Sequence, residues 1–235
     1  MTKTLLCTIV VRETKLPFID DLIQSFTEYT DFDIVVYTDL PLDDIDHDNV
    51  IDIREVTDLP LIYGSNCFNY NLKGVVTHYT YHNNPEYDRI VWCDCDVFLT
   101  KPSLILNGMN EYDFYGKINT FPPDDDVPVN LKYHKLRKVL GYDNHLDELK
   151  YVVEVLMVLN RSEAVDKFLE RWYYYCVFTC TQEDYINVAY ECVEIALALL
   201  DCKDFLTTSN FRNVGIYKEG SLFITHKNEA IPLAQ

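Results

Sequence analysis

Hydrophobic residues in the first hundred positions form short continuous runs, and stretches with helical spacing separate these runs. The runs Thr4–Val11, Asp33–Thr38 and Val50–Val56 predict buried β-strands. Amphipathic stretches at Pro17–Tyr29 and at about Phe68–Tyr81 predict helices between them. Because strands that alternate with helices are typical of βαβ units, we expect an α/β fold with a mostly parallel sheet.

The second half of the chain alternates less regularly. We expect strands at Asp113–Ile118, Tyr151–Asn160 and Ser221–Thr225, and helices at Leu131–Leu140, from the capping Ser162 to about Phe178, and from the Thr181–Asp184 capping pattern to about Leu200. The chain contains no internal repeat and no Gly/Ser linker, so residues 1–235 are predicted to form one domain.

Composition narrows the classes of partner. The 235 residues are 48% hydrophobic and carry a formal net charge of −18, which disfavours non-specific binding to nucleic acids and to anionic membranes. No window approaches 18 consecutive apolar residues, so no membrane span is expected. The eight cysteines occur without a signal-peptide layout, and we therefore expect reduced thiols and a cytoplasmic location.

The most informative segment is Arg89–Leu99, an apolar strand that runs into Asp94-Cys95-Asp96. Side chains two positions apart share a face of an extended chain, so Asp94 and Asp96 should point to one place while Cys93 and Cys95 face the core. Paired carboxylates suit a hard divalent cation that is shared with phosphate oxygens, and ligands of α/β sheets bind beyond the carboxyl ends of strands. This pattern predicts a metal-dependent site for a nucleoside diphosphate.

The apolar context distinguishes this pair from other matches. The same Asp-x-Asp spacing recurs in polar, turn-like segments at Asp31/Asp33, Asp44/Asp46, Asp46/Asp48 and Asp124/Asp126. The chain has only seven glycines and neither a Gly-x-Gly-x-x-Gly nor a Walker phosphate loop, so a metal would have to take over the role of such a loop.

Several segments together resemble glycosyltransferases of the GT-A fold, most nearly the retaining group that includes glycogenin and bacterial lipopolysaccharide galactosyltransferases. The resemblance is carried by Thr8–Arg12, Phe68–Lys73, Ile90–Asp96, Val152–Asn160 and Gln182–Asn187. It implies a single GT-A (Rossmann-like) domain with a mostly parallel mixed sheet flanked by helices.

The resemblance also implies roles for individual residues. Asp94, Asp96 and His226 would bind Mn²⁺ (or Mg²⁺); Thr8, Val10, Arg12, Lys73, Asp94, Cys95 and Lys227 would contact the nucleotide-sugar donor; and Gln182, Glu183 and Asp184 would lie in the catalytic region. Glu154 is an acid within an apolar strand, which indicates either a further site carboxylate or an edge residue that faces water.

Structural interpretations remain open beside these roles. Lys73 is also compatible with a solvated helix side chain, His226 with an ordinary histidine, and residues 182–184 with a helix cap. Four cysteines could form a zinc site, although buried thiols are the favoured interpretation: Cys93, Cys95, Cys176 and Cys180.

The expected function is transfer of a sugar from a nucleotide-diphosphate sugar, with a UDP-sugar as the first choice, to a carbohydrate, glycan or protein acceptor. One alternative is a sugar-phosphate nucleotidyltransferase, for which Val11–Lys15 is a poor version of the required basic loop. The other is a catalytically degenerate GT-A domain that only binds. Glu183 stands where the family motif has Gln, so retention and inversion of the sugar's configuration both stay open.

Overall fold

The structure is a computed structural model. It describes residues 2–11, 13–58, 71–99, 109–120, 150–180, 193–202, 205, 211–213 and 223–225. The strands are β1 Thr4–Val10, β2 Asp33–Thr38, β3 Val50–Asp52, β4 Arg89–Cys93, β5 Val97–Leu99, β6 Phe114–Thr120, β7 Lys150–Asn160, β8 Phe211–Asn213 and β9 Phe223–Thr225. The helices are α1 Leu16–Tyr29, α2 Asn71–Asn83, α3 Glu163–Cys180 and α4 Val193–Asp201.

Seven of the described strands form one mixed sheet in the order β3-β2-β1-β4-β7-β6-β8, and β5 and β9 form a separate two-stranded sheet. Within the larger sheet only β7 is antiparallel to its neighbours, while the other pairs are parallel. The α/β architecture with a mostly parallel mixed sheet flanked by helices is therefore confirmed. Strand β4 lies in the middle of this sheet, which buries all five of its residues.

Each face of the sheet has its own hydrophobic core because successive side chains of a strand point to opposite faces. On one face Leu6 and Val10 of β1 pack with Leu22 and Phe26 of α1. The opposite face packs against α2, α3 and α4, whose buried side chains form the second core. The carboxyl end of β4 thus lies between helices from two sides.

Local sequence signals predicted several elements well. The strands β1, β2 and β7 and the helix α1 are observed within one or two residues of their predicted limits. Ser162 caps α3 as predicted, because the Val165 N–H donates to Ser162 Oγ over 3.2 Å.

One prediction about the edge of the sheet is wrong. The strand expected over Val50–Val56 ends at Asp52, and a 3-10 turn follows at Ile53–Glu55. The Asp52 carboxylate accepts hydrogen bonds from the Arg54 N–H and guanidinium, which stabilise the turn over the extended chain.

Some predicted elements cannot be compared with the structure. The helix at 131–140 and the capping pattern at 181–184 lie outside the described residues. Helix α4 matches the described part of the last predicted helix. Among the described residues, no helix combines the length and apolar character needed to cross a bilayer.

Candidate active site

The two aspartates lie on a turn at the carboxyl end of β4. The Asp94 N–H donates to the Val155 carbonyl of β7 over 2.9 Å, and the Val97 N–H donates to the Asp94 carbonyl over 3.1 Å. The strand therefore ends at the aspartates as predicted, but Asp94 and Asp96 do not share the face of an extended segment, since the chain turns after Cys93 and resumes as β5. The change of partner explains the turn: β4 pairs with β7, whereas β5 pairs with β9.

Asp94 forms a buried ion pair with helix α2. Lys73 Nζ lies 2.8 Å from Asp94 Oδ1, and the side chains are only 5% and 9% exposed. Lys73 lies in the first turn of α2, and α2 packs on the face of the sheet opposite α1. The structure therefore brings together Lys73 and Asp94, and it contradicts the alternative of a solvated Lys73.

Asp96 is held from the other face of the sheet. Lys15 Nζ donates to Asp96 Oδ2 over 2.7 Å, with the lysine side chain 29% exposed and the aspartate side chain 3% exposed. Lys15 is the residue before α1, in the connection that follows β1. Lys15 was not among the site residues predicted from the sequence. The sequence feature that could have identified Lys15 is its position as a basic residue in the loop after a parallel strand. Such loops converge at one edge of the sheet, where the ligand site lies.

This arrangement balances charge at the sheet edge. Two carboxylates two positions apart are both nearly removed from water, which is costly unless cations compensate them. The two ammonium groups reach Asp94 and Asp96 from opposite faces of the sheet. The turn therefore holds two buried carboxylates that need cations beside them, and in this structure two lysines supply that charge.

The neighbouring cysteines are core thiols, as predicted. Cys93 and Cys95 belong to the core beneath α1. Burial, with a further contribution from Asp94 and Asp96, raises the pKa of Cys95 to about 12 and also raises that of Cys93. Cys176 belongs to the core on the opposite face, so the alternative of a four-cysteine zinc site is wrong.

The predicted nucleoside-pocket residues of β1 lie in the core. Thr8 and Val10 are both fully buried, and Val10 packs with the residues beneath α1. The Thr8 hydroxyl has no hydrogen-bond partner among the described residues. Thr8 follows Cys7, the last residue of β1 that pairs with β4.

Several predicted residues lie outside the described part of the chain: Arg12, Gln182, Glu183, Asp184, His226 and Lys227. Glu154 has a described backbone position on β7, next to Val155, but its side chain is not described. Strand β9 ends near the site, because Thr225 pairs with Val97. Val97 directly follows Asp96, and His226 directly follows Thr225 in the sequence.

The donor set has the chemistry of a site for a hard cation. Mg²⁺ and similar ions are bound by one or two carboxylates together with substrate phosphates. Asp94 and Asp96 supply two buried carboxylates on one turn, so these residues fit such an ion. The described residues include no group of three or more His, Cys, Asp or Glu side chains arranged to hold a metal. Any further ligand would therefore come from elsewhere in the chain or from the substrate.

Comparison with known proteins supports the fold. No protein-family model matches the chain, and no curated protein matches it. Among solved structures, it is similar to the apo structure of the bifunctional glycosyltransferase WbbM, with a TM-score of 0.50 and 13% identity over 91% of this chain. The match spans 39% of the WbbM chain. The chain thus has the fold of part of a known glycosyltransferase.

Proposed function

We propose that this protein is a glycosyltransferase that moves a sugar from a nucleotide-diphosphate sugar, first of all a UDP-sugar, to a carbohydrate, glycan or protein acceptor. The observation that carries the proposal is the buried Asp94–Asp96 turn at the carboxyl end of β4, with a lysine on each carboxylate. The similarity of fold to a glycosyltransferase supports the same conclusion.

In this proposal Asp94 and Asp96 bind Mn²⁺ or Mg²⁺, and His226 is a third ligand. The pairing of Thr225 with Val97 supports the inclusion of His226, because each of these residues neighbours a proposed ligand in the sequence. When bound, the ion neutralises the charge that develops on the departing nucleoside diphosphate.

The chain's own basic residues complete the donor site. Lys73 holds Asp94 in place from α2 and presents positive charge where a diphosphate would lie. A chain with a net charge of −18 repels a polyanionic ligand elsewhere, so such local positive charge is required for binding. We assign the remaining donor contacts to Arg12 and Lys227, and to the main chain at Thr8, Val10 and Cys95, because the side chains of these three residues are buried.

A second group of residues would act on the sugar and the acceptor. Loss of the leaving group gives the anomeric carbon oxocarbenium character, which a nearby carboxylate or amide oxygen stabilises. A carboxylate close to the acceptor hydroxyl can also take its proton. We assign these roles to the set Gln182, Glu183, Asp184 and Glu154.

The test is binding of nucleotide sugars with and without Mn²⁺. We expect a UDP-sugar to raise the melting temperature only when Mn²⁺ is present, and calorimetry to give a Mn²⁺-dependent Kd. Asp96→Asn should abolish that dependence while the fold is retained. Asp44→Asn is the matched control, because Asp44 belongs to an exposed Asp-x-Asp pair. Unchanged binding by Asp96→Asn would exclude the proposed metal site.

A second candidate function, nucleotidyl transfer to a sugar phosphate, is favoured by one observation. The contact of Lys15 with Asp96 places a basic residue from the loop after β1 in the site, as that activity would require. The reaction products distinguish the two activities. Nucleotidyl transfer from a nucleoside triphosphate releases pyrophosphate, whereas glycosyl transfer releases a nucleoside diphosphate. A degenerate binding domain would bind the nucleotide sugar and release neither.

A further inference from the structure

The two lysines of the site are anchored differently. Lys73 is 5% exposed and belongs to α2, where its carbonyl accepts a hydrogen bond from Thr77 Oγ1 over 2.6 Å. Lys15 is 29% exposed and lies in a three-residue 3-10 turn whose other members, Glu13 and Thr14, are exposed. Lys73 is therefore a built-in part of the core, whereas Lys15 reaches Asp96 from the protein surface.

We propose that Lys15 is an exchangeable counter-ion of Asp96. Before ligand binds, its ammonium group occupies the cation position at Asp96 Oδ2; when a divalent cation takes that oxygen, the ammonium group moves to the donor's diphosphate. This inference rests on the proposed function, since it assumes a metal–nucleotide ligand.

The burial of Asp96 is the physical reason for such an exchange. Its side chain is 3% exposed, so its charge needs a cation beside it at all times. A lysine ammonium is a compact charge on a flexible stem and can change partners without moving the backbone. The Phe18 ring, 5.2 Å from Lys15 Nζ, offers a favourable surface along which the ammonium group can move.

If Lys15 is exchangeable, removing its charge should have opposite effects on the affinity for Mn²⁺ and on the affinity for UDP. In Lys15→Met, Mn²⁺ alone no longer competes with an ammonium group, and its Kd should fall about tenfold, the size expected for one charged hydrogen bond. The Kd for UDP at saturating Mn²⁺ should rise about tenfold, because the phosphate contact is lost. A residue that only stabilised the fold would not move the two constants in opposite directions.

The variant Lys15→Arg tests the displacement of residue 15 by the metal ion in the opposite direction, because it should strengthen the contact with Asp96. A guanidinium group holds a carboxylate through two hydrogen bonds, so it should be harder to displace than an ammonium group. The Kd for Mn²⁺ alone should therefore rise in Lys15→Arg. This variant keeps the positive charge beside Asp96 and with it the compensation that the buried carboxylate needs.

The experiment measures Mn²⁺ binding from the electron paramagnetic resonance signal of the free ion, and UDP binding by calorimetry at saturating Mn²⁺. Circular dichroism shows that each variant is folded. Lys167→Met is the matched control, because Lys167 forms an exposed ion pair with Glu163 at 2.7 Å. Both constants should be unchanged in this control.

The possible outcomes separate the two proposals. If the wild-type protein shows no Mn²⁺-dependent binding of UDP, both the proposed function and the exchange fail. If the wild-type protein binds both ligands but Lys15→Met and Lys15→Arg match it, only the exchange fails. Should Lys15→Met not fold, Lys15→Arg decides alone: weaker Mn²⁺ binding supports the exchange, and unchanged binding overturns it.

Discussion

Strand β4 has buried charged side chains at both ends: an arginine at its beginning and two carboxylates just after its last residue. The partners of these charged groups differ between the two ends. At the beginning, Arg89 Nη2 donates to the Met109 carbonyl over 2.7 Å, and Arg89 Nε donates to Asn160 Oδ1 over 2.8 Å. The amide of Asn160 in turn donates to the carbonyls of Met109 and Tyr112. At the other end, Asp94 and Asp96 each face a lysine ammonium group.

The difference indicates which end binds a ligand. These hydrogen bonds of Arg89 go to oxygen atoms of neighbouring loops and strands, so they tie the chain together. The carboxylates at the other end are paired with lysine ammonium groups. One of these, that of Lys15, reaches Asp96 from the protein surface, where another cation can replace it. We therefore interpret the Arg89 end as structural and the Asp94–Asp96 end as the ligand site.

The largest expected effect comes from breaking the buried ion pair. Lys73→Met should lower the free energy of unfolding by about 3–5 kcal/mol, because it leaves the Asp94 carboxylate buried without its cation. The double variant Lys73→Met/Asp94→Leu should recover most of that loss in urea denaturation. Losses that simply add in the double variant would show that the pair is not coupled.

Substitution of Arg89 should change the stability of the protein but not its binding of ligands. Arg89→Met should lower the free energy of unfolding by about 2–3 kcal/mol, since the buried oxygen of Asn160 loses its charged donor. The folded variant should bind UDP and Mn²⁺ with the wild-type Kd, as calorimetry can measure. An altered Kd would remove the functional distinction between the two ends.

A smaller effect should come from the packing that positions Lys73. A Cβ atom at Gly74 would lie 2.6 Å from Cys176 Sγ and 2.9 Å from the Trp172 ring. Gly74→Ala should cost about 1–2 kcal/mol of stability, because overpacking outweighs the better helix propensity of alanine. It should also weaken nucleotide binding by shifting α2. Adding Cys176→Ala should recover part of both losses, and no recovery would place the strain elsewhere.

The smallest expected effect is a pH dependence of the stability that His78 of α2 contributes. Burial, and next the charge of His82, lowers the pKa of His78 from 6.5 to about 4. The unfolded chain therefore binds more protons than the folded chain between these values. The stability that neutral His78 contributes is present above pH 6.5 and is lost as the pH falls toward 4.

Thermal melts at pH 7 and pH 5 test this prediction. His78→Phe keeps an aromatic ring against Tyr173, which lies 4.5 Å away by ring centroids, but has no proton to bind. Its melting temperature should fall less between the two pH values than that of the wild-type protein. An equal fall would assign the acid sensitivity to other groups.

The sequence by itself determined the features that depend on short stretches of chain. The strands β1 and β2, the helix α1 and the Ser162 cap were predictable, because hydrophobic spacing and capping act over a few residues. The apolar context of Asp94 and Asp96 also identified the candidate site among five similar pairs. The predicted burial of Cys93 and Cys95 followed from the same local pattern.

Only the tertiary structure decided how the site is assembled. The turn after Cys93 depends on β7 and β9 as partners, and Lys15 reaches Asp96 across 81 positions of sequence. The antiparallel direction of β7 is likewise a matter of topology. Such contacts arise from the packing of whole elements, which brings distant residues to one sheet edge. A local sequence pattern carries no information about which distant residues will meet in the fold. It therefore predicted Asp94 and Asp96, but it did not predict that Lys15 balances Asp96.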